Sequence, residues 1–245
     1  MNVEQIADKI SGWISDRTRE AGARGVAVGL SGGIDSAVVL ALARRGVGPN
    51  VLGVMMPCES CDQDIRDALE VAASLDVATA TVHLGEPYRR LLDAVPSGSR
   101  MAKANLKARL RMATLYFYAN ALNYLVAGTG NRSEHAVGYF TKYGDGAADI
   151  LPIGGLLKRQ VRQLAAHLGL PRRIIDKPPS AGLWPGQTDE EELGITYEAL
   201  DEIVDAIESG RKPQAPADLV AKVQARIDSS RHKKMCPPVC EVGEA

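Results

Sequence analysis

Leu30-Ser-Gly-Gly-Ile-Asp-Ser36 combines the residue types that bind a phosphorylated ligand, placed between an apolar run and the start of a helical pattern. Gly32 and Gly33 can take backbone angles closed to other residues, so successive N–H groups can converge on an anion. The helix that follows adds its positive N-terminal end. The loop lacks the lysine of G-x-x-x-x-G-K-[ST] and the spacing of the dinucleotide fingerprint G-x-G-x-x-G, so neither cradle applies. Asp35 would repel a bare phosphate, and its presence predicts a divalent cation between them and therefore a Mg-nucleotide. The plain alternative is a glycine turn capped by Asp35. The strand before and the helix after favour the cradle.

Other residues join this centre by position. Glu134 follows the apolar run Tyr124–Gly128, and ligands of open α/β sheets bind outside such carboxyl ends. With Asp35 it would supply the two protein carboxylates that Mg commonly uses, although a surface glutamate is the plain reading. Asn105 and Arg109 share one face of a helical stretch over 101–122, where arginine suits a phosphate. Lys103, Lys107 and Arg111 on the same stretch are expected to be solvated. Cys58-x-x-Cys61 and Cys236-x-x-x-Cys240 pose the question of a four-thiolate zinc site, on weak spacing.

The elements that must position these residues alternate. Strands are expected at 25–30, 51–56, 77–84 and 124–128, and helices at 37–45, 65–75, 101–122, 158–168, 197–209 and 215–229. Buried apolar strands interleaved with helices predict an α/β fold with a doubly wound parallel sheet flanked by helices. One domain accounts for the chain: an N-terminal helix over 1–20, a nucleotide-binding core over 25–175, a segment over 176–194, and C-terminal helices with a basic tail over 195–245. Residues 176–194 are rich in Pro and Gly, including Pro178, Pro179, Gly182, Pro185 and Gly186, which suits a lid.

The 245 residues suffice for a core without staples. With Lys plus Arg at 29 and Asp plus Glu at 30, there is no bulk attraction for nucleic acid or an anionic membrane. The amphipathic start Val3, Ile6, Ile10, Trp13, Ile14 is not a secretory signal, and no run reaches the ~18 apolar residues of a membrane span. A cytoplasmic protein with reduced cysteines is expected.

Ser31-Gly-Gly-Ile-Asp-Ser36 resembles the SGGxDS pyrophosphate loop of N-type ATP pyrophosphatases, which have an adenine nucleotide alpha hydrolase-like fold. Asn105-Leu-Lys-Ala-Arg109, Gly128-Thr-Gly-Asn-Arg-Ser-Glu134, Gly138–Asp145, Leu151-Pro-Ile, Lys158-Arg-Gln, Pro179–Leu183, Gln187–Gly194 and His232-Lys233 resemble, in order and spacing, the NAD synthetase family. That resemblance covers nearly the whole chain. It implies an ammonia-dependent ligase that adenylates deamido-NAD with ATP and Mg2+ and releases AMP and pyrophosphate. It assigns ATP to Gly29, Leu30, Ser31, Gly32, Gly33, Ile34, Asp35, Ser36, Thr129, Lys158 and Ser180, and Mg2+ to Asp35 and Glu134. It assigns deamido-NAD to Arg109, Lys142, Asp149, His232 and Lys233, and implies a homodimer. Asp35 and Lys158 are the expected catalytic groups, with Asp145 and Asp149 candidates for binding and deprotonating ammonium. Ser180 stands where many members have Thr, and Gly130-Asn131 where others have Asp-His. The rival readings are a tRNA-thiolating relative, disfavoured by the near-zero charge, and a nucleotide-binding module without turnover.

Overall fold

The computed structural model describes residues 2–184 and 186–241, so Pro185 of the expected lid and the last four residues lie outside it. Four parallel strands form the centre: β1 (Gly25–Gly29), β2 (Val51–Met55), β3 (Ala78–Thr81) and β4 (Tyr124–Ala127), in the order β3-β2-β1-β4. Val26 pairs with Val51 on one side and Leu125 on the other. A single parallel bridge from Ala127 to Ile150 extends the sheet past β4. Because β2 and β4 leave β1 in opposite directions, a crevice opens at the carboxyl ends of β1 and β4, where such sheets bind ligands.

Alternate residues of β1 face opposite layers, as a period of two requires. Val26 and Val28 pack with α1 (Val3–Glu20), α2 (Ile34–Val47), α3 (Asp62–Ser74), α7 (Lys158–His167) and α8 (Arg172–Ile175). Ala27 faces the other layer, formed by α4 (Gly85–Ala94) and α5 (Arg100–Leu122) with Tyr88, Leu115 and Ala119. Ile14, Leu40, Leu42 and Ile153 are fully enclosed on the first side. Truncating any of them to Ala costs about 3 kcal/mol. A third apolar cluster joins α6 (Arg132–Ala136), α9 (Asp189–Leu193), α10 (Tyr197–Glu208) and α11 (Ala217–Ser230) around Leu200, Ile203 and Val204.

The doubly wound parallel sheet is as expected, and the differences lie in short elements, the four-residue α8 among them. α4 occupies a stretch without an expected element, and α6 and α9 lie where loops were expected. α6 and α9 have five residues each, too few to display a helical period. β3 is shorter than the expected 77–84 because it is a sheet edge with exposed small residues, where little burial holds the chain extended.

Candidate active site

β1 and α2 deliver the glycine loop. Leu30 N–H donates to Val54 O (2.9 Å), fixing where β1 ends. Inside the loop, buried Ser36 donates its hydroxyl to Gly33 O (2.9 Å) and accepts from Ser31 N–H (3.3 Å). The first amides of α2, from Ile34 onward, have no partner within the helix and open onto the crevice with its dipole. Gly32 has φ +79°, and a Cβ there would stand 2.3 Å from Asp64 O. Only glycine lets the loop lie this close to α3.

The charges converge behind that loop. Lys158, 1% exposed at the start of α7, places Nζ 2.5 Å from Asp35 Oδ2 and 3.3 Å from Glu134 Oε1. Asn131, fully buried, links the two acidic residues: its Nδ2 donates to the Asp35 carboxylate (2.9 Å) and its Oδ1 accepts from the backbone N–H of Glu134 (3.0 Å). Glu134 closes a capping box back to Asn131 N–H. Burial pushes the Glu134 carboxyl up to about 7; Lys158 opposes this, while Asp35 and Asp189 add to it. Burial pulls the Lys158 ammonium down, but Asp35 and Glu134 outweigh it and raise the pKa, so the lysine stays charged. A cation seated between two carboxylates fits a divalent ion that takes two protein ligands and fills the rest of its shell with phosphate and water. Among the described residues, no group of three or more His, Cys, Asp or Glu is placed to hold a metal without such help.

Three residues without an expected role complete this wall. The Tyr197 hydroxyl lies 3.1 Å from Glu134 Oε1 and 3.0 Å from Asp189 Oδ2, and the Tyr139 hydroxyl lies 3.0 Å from Asp189 Oδ1. Burial, with these carboxylates, raises both phenols far above their ordinary values, so they act as neutral donors. No spacing links Tyr139, Asp189 and Tyr197 in the sequence. Only the packing of α9 against α10 brings them to Glu134.

A cavity of about 590 Å³ joins these groups. Gly29, Leu30, Ser31, Gly33, Ile34, Asp35, Ser36, Thr129, Glu134, Asp145, Lys158, Ser180 and Lys233 line it. Gly32, Arg109, Lys142, Asp149 and His232 are not in its wall. Three of these form a neighbouring group: Arg109 donates to Lys142 O (3.2 Å), and Lys142 Nζ donates to His232 O (2.6 Å). Asp149 stands apart, accepting from Val126 N–H (2.7 Å) and the Tyr116 hydroxyl (3.1 Å) at β4. Asp145 lies deep in the cleft yet opens onto its solvent. Crowding by the walls pushes its carboxyl up against the amides of Thr141 and Asp145, which pull it down.

Two of the lysines and arginines expected to be solvated on α5 are not. Lys107 is 5% exposed, pairing with Glu59 (2.6 Å) and donating to Leu183 O (3.0 Å). Arg111 is half-buried and donates to Met56 O and Ser60 Oγ. Lys103 is exposed as expected. The 57–61 loop and the 176–194 segment fold over this side of the helix, and Arg100 stacks on Trp184 at 4.1 Å. Ser180 accepts from Gly182 N–H (3.1 Å) within that segment. The tail is not frayed: Arg231–Lys233 form a 3₁₀ turn, with Lys233 bonded to Gly138 O and Phe140 O and Lys234 to Ala136 O. All four cysteines are free thiols, Cys58 buried and Cys61, Cys236 and Cys240 exposed.

Known proteins resemble this chain along nearly its whole length. The NH(3)-dependent NAD(+) synthetase of Archaeoglobus fulgidus is 48% identical over 99% of this chain and 98% of its own length. A solved NMN synthetase from Francisella tularensis superposes with a TM-score of 0.92 at 38% identity, covering 99% of this chain and 100% of that one. An NH3-dependent NAD synthetase from Campylobacter jejuni superposes with a TM-score of 0.87 at 30% identity, over 98% and 100%. The family model described as NAD synthase matches residues 6–237. With a family model over residues 6–237 and relatives matched along nearly their full length, the chain belongs to the NAD synthase family.

Proposed function

We propose that the chain converts deamido-NAD to NAD with ATP and free ammonia, and that the crevice between β1 and β4 holds the triphosphate. The observation that carries this reading is the convergence of Asp35, Glu134 and Lys158 beside the loop amides. The nicotinate carboxylate attacks the α-phosphorus of ATP; the bond to the β-phosphate breaks and pyrophosphate leaves, giving an acyl adenylate. Ammonia then adds to the acyl carbon, AMP departs, and the surplus proton passes to a base. Gly29 to Ser36, Thr129, Lys158 and Ser180 bind ATP, and Lys158 offsets the repulsion between two anions in the first step. Asp35 and Glu134 would hold Mg2+, which supplies further neutralisation of the phosphates when bound. Asp145, raised by its setting, is the better placed of the two candidates to take the ammonium proton, because Asp149 is engaged at β4.

Arg109, Lys142, His232 and Lys233 form the cationic side that receives the dinucleotide, and Asp149 meets it from beside β4. The 176–194 segment is the lid that excludes water from the adenylate. The chain acts as one domain and as a homodimer. No helix among the described residues is long and apolar enough to cross a membrane, in keeping with a cytoplasmic enzyme. The test is NAD and pyrophosphate formation by the purified chain with ammonium. Glutamate release from glutamine would refute the ammonia-only reading. A second reading rests on the solved NMN synthetase: the acceptor is the smaller nicotinate mononucleotide. It prevails if kcat/KM for the mononucleotide exceeds that for deamido-NAD.

A further inference from the structure

Lys177, the second residue of the proposed lid and itself part of the cavity wall, directs all three donors of its ammonium at α3 and the glycine loop. Nζ donates to Asp64 Oδ1 (2.7 Å), Asp67 Oδ2 (2.7 Å) and the carbonyl oxygen of Gly32 (3.2 Å). Both carboxylates belong to α3. Asp67, 3% exposed, also accepts from Gln63 Nε2 (2.7 Å) and pairs with Arg173 of α8 (3.0 Å). Burial alone would raise its carboxyl, but the bonds from Lys177 and Gln63 hold it below its ordinary value. The anchor is therefore stiff.

The peptide joining Gly32 to Gly33 is planar and trans, so its C=O and N–H point in opposite directions. With the oxygen held against α3, the Gly33 N–H must face away from α3, toward the crevice. Gly33 lines the cavity and Gly32 does not. Among the described residues that N–H donates only to Ser31 Oγ, at a long 3.3 Å, which leaves it available to an anion. Two consecutive glycines are what lets such a peptide turn over at little cost. In the flipped form a carbonyl oxygen would confront the phosphates. Without Lys177, the Gly32 oxygen would also face the carboxylates of Asp64 and Asp67 with no cation between them, which favours the flip.

We propose that Lys177 is a positioning residue for the pyrophosphate end of the nucleoside triphosphate. It locks the Gly32 carbonyl against α3, so that the loop presents N–H groups to the phosphates, and it ties the start of the lid to that loop. This rests on the reading of the loop as the ATP site. The test uses inorganic pyrophosphate with Mg2+ as a probe, measured by calorimetry on the full chain, so that turnover is not needed. Lys177→Met should weaken pyrophosphate binding about tenfold or more, the effect of one charge-assisted anchor. It should raise KM for ATP by a similar factor and leave KM for deamido-NAD within about twofold. Asp67→Asn separates positioning from direct contact. A lysine that touches the phosphates itself would be released by this change and bind pyrophosphate more tightly, whereas an anchor would be loosened and bind it less tightly. Asp64→Asn makes the same test at a more exposed position should Asp67→Asn fail to fold. Unchanged pyrophosphate binding in Lys177→Met, or tighter binding in either aspartate variant, overturns the proposal. Absence of binding by the unsubstituted chain would instead overturn the ATP-site reading, and this proposal with it.

Discussion

The lysines around the glycine loop and those around the C-terminal tail meet opposite kinds of partner. On the glycine-loop side, ammonium groups meet carboxylates: Lys158 with Asp35 and Glu134, Lys177 with Asp64 and Asp67. On the tail side they meet neutral carbonyls: Lys142 with His232 O, Lys233 with Gly138 O and Phe140 O, Lys234 with Ala136 O. The first group carries its own counter-charge, with two carboxylates against Lys158. The second keeps its positive charge uncompensated and is suited to a dianionic pyrophosphate such as that of a dinucleotide. In the proposed reaction the first side takes the triphosphate and the second the dinucleotide.

The largest effect is expected at Lys158. Lys158→Met should lower NAD formation by at least about 100-fold, the scale of losing one preorganised charge. It should also lower unfolding free energy by about 3 kcal/mol, because two carboxylates in a buried setting lose their partner. Near-normal kcat together with normal denaturant stability would break the comparison at its centre. Asp35→Ala should abolish pyrophosphate release while the chain still folds, and full activity there would remove the metal role. Glu134→Gln should likewise stop release, yet raise the melting temperature, since its carboxyl is crowded by burial and by Asp35 and Asp189.

Truncation after Ser230 should raise KM for deamido-NAD about tenfold, the weight of roughly one charged contact, with KM for ATP little changed. Equal effects on both substrates would erase the division between the two sides. Gly138, with φ +65° and room for no Cβ against Ser230, shows how closely the tail is seated. The smallest effect concerns pH. The Asp67 carboxyl is held below its ordinary 3.8, so the unfolded chain takes up its proton first as pH falls. Its contribution is present above that value and fades below it. The melting-temperature deficit of Asp67→Asn should therefore be greatest near neutrality and shrink in acid; a deficit independent of pH would locate the effect in packing.

How much of this was legible in the sequence follows from range. The glycine loop and the four strands are local patterns. Glu134 could be placed only as the residue after a strand, because the five-residue α6 and the Asn131 cap that aim it have no periodic signature. Lys107 was misjudged for a physical reason: the polar face of a helix is solvated only until another segment covers it, and Leu183 and Glu59 do so from distant parts of the chain. Lys177, Tyr139, Asp189 and Tyr197 acquire their roles solely through packing.

The central claim is that one crevice adenylates a carboxylate and then amidates it. Purified chain given ATP, Mg2+, deamido-NAD and ammonium should form NAD, AMP and pyrophosphate in equal amounts, with no NAD when ATP is omitted. Release of ADP and orthophosphate, or ATP turnover without NAD, would contradict the account.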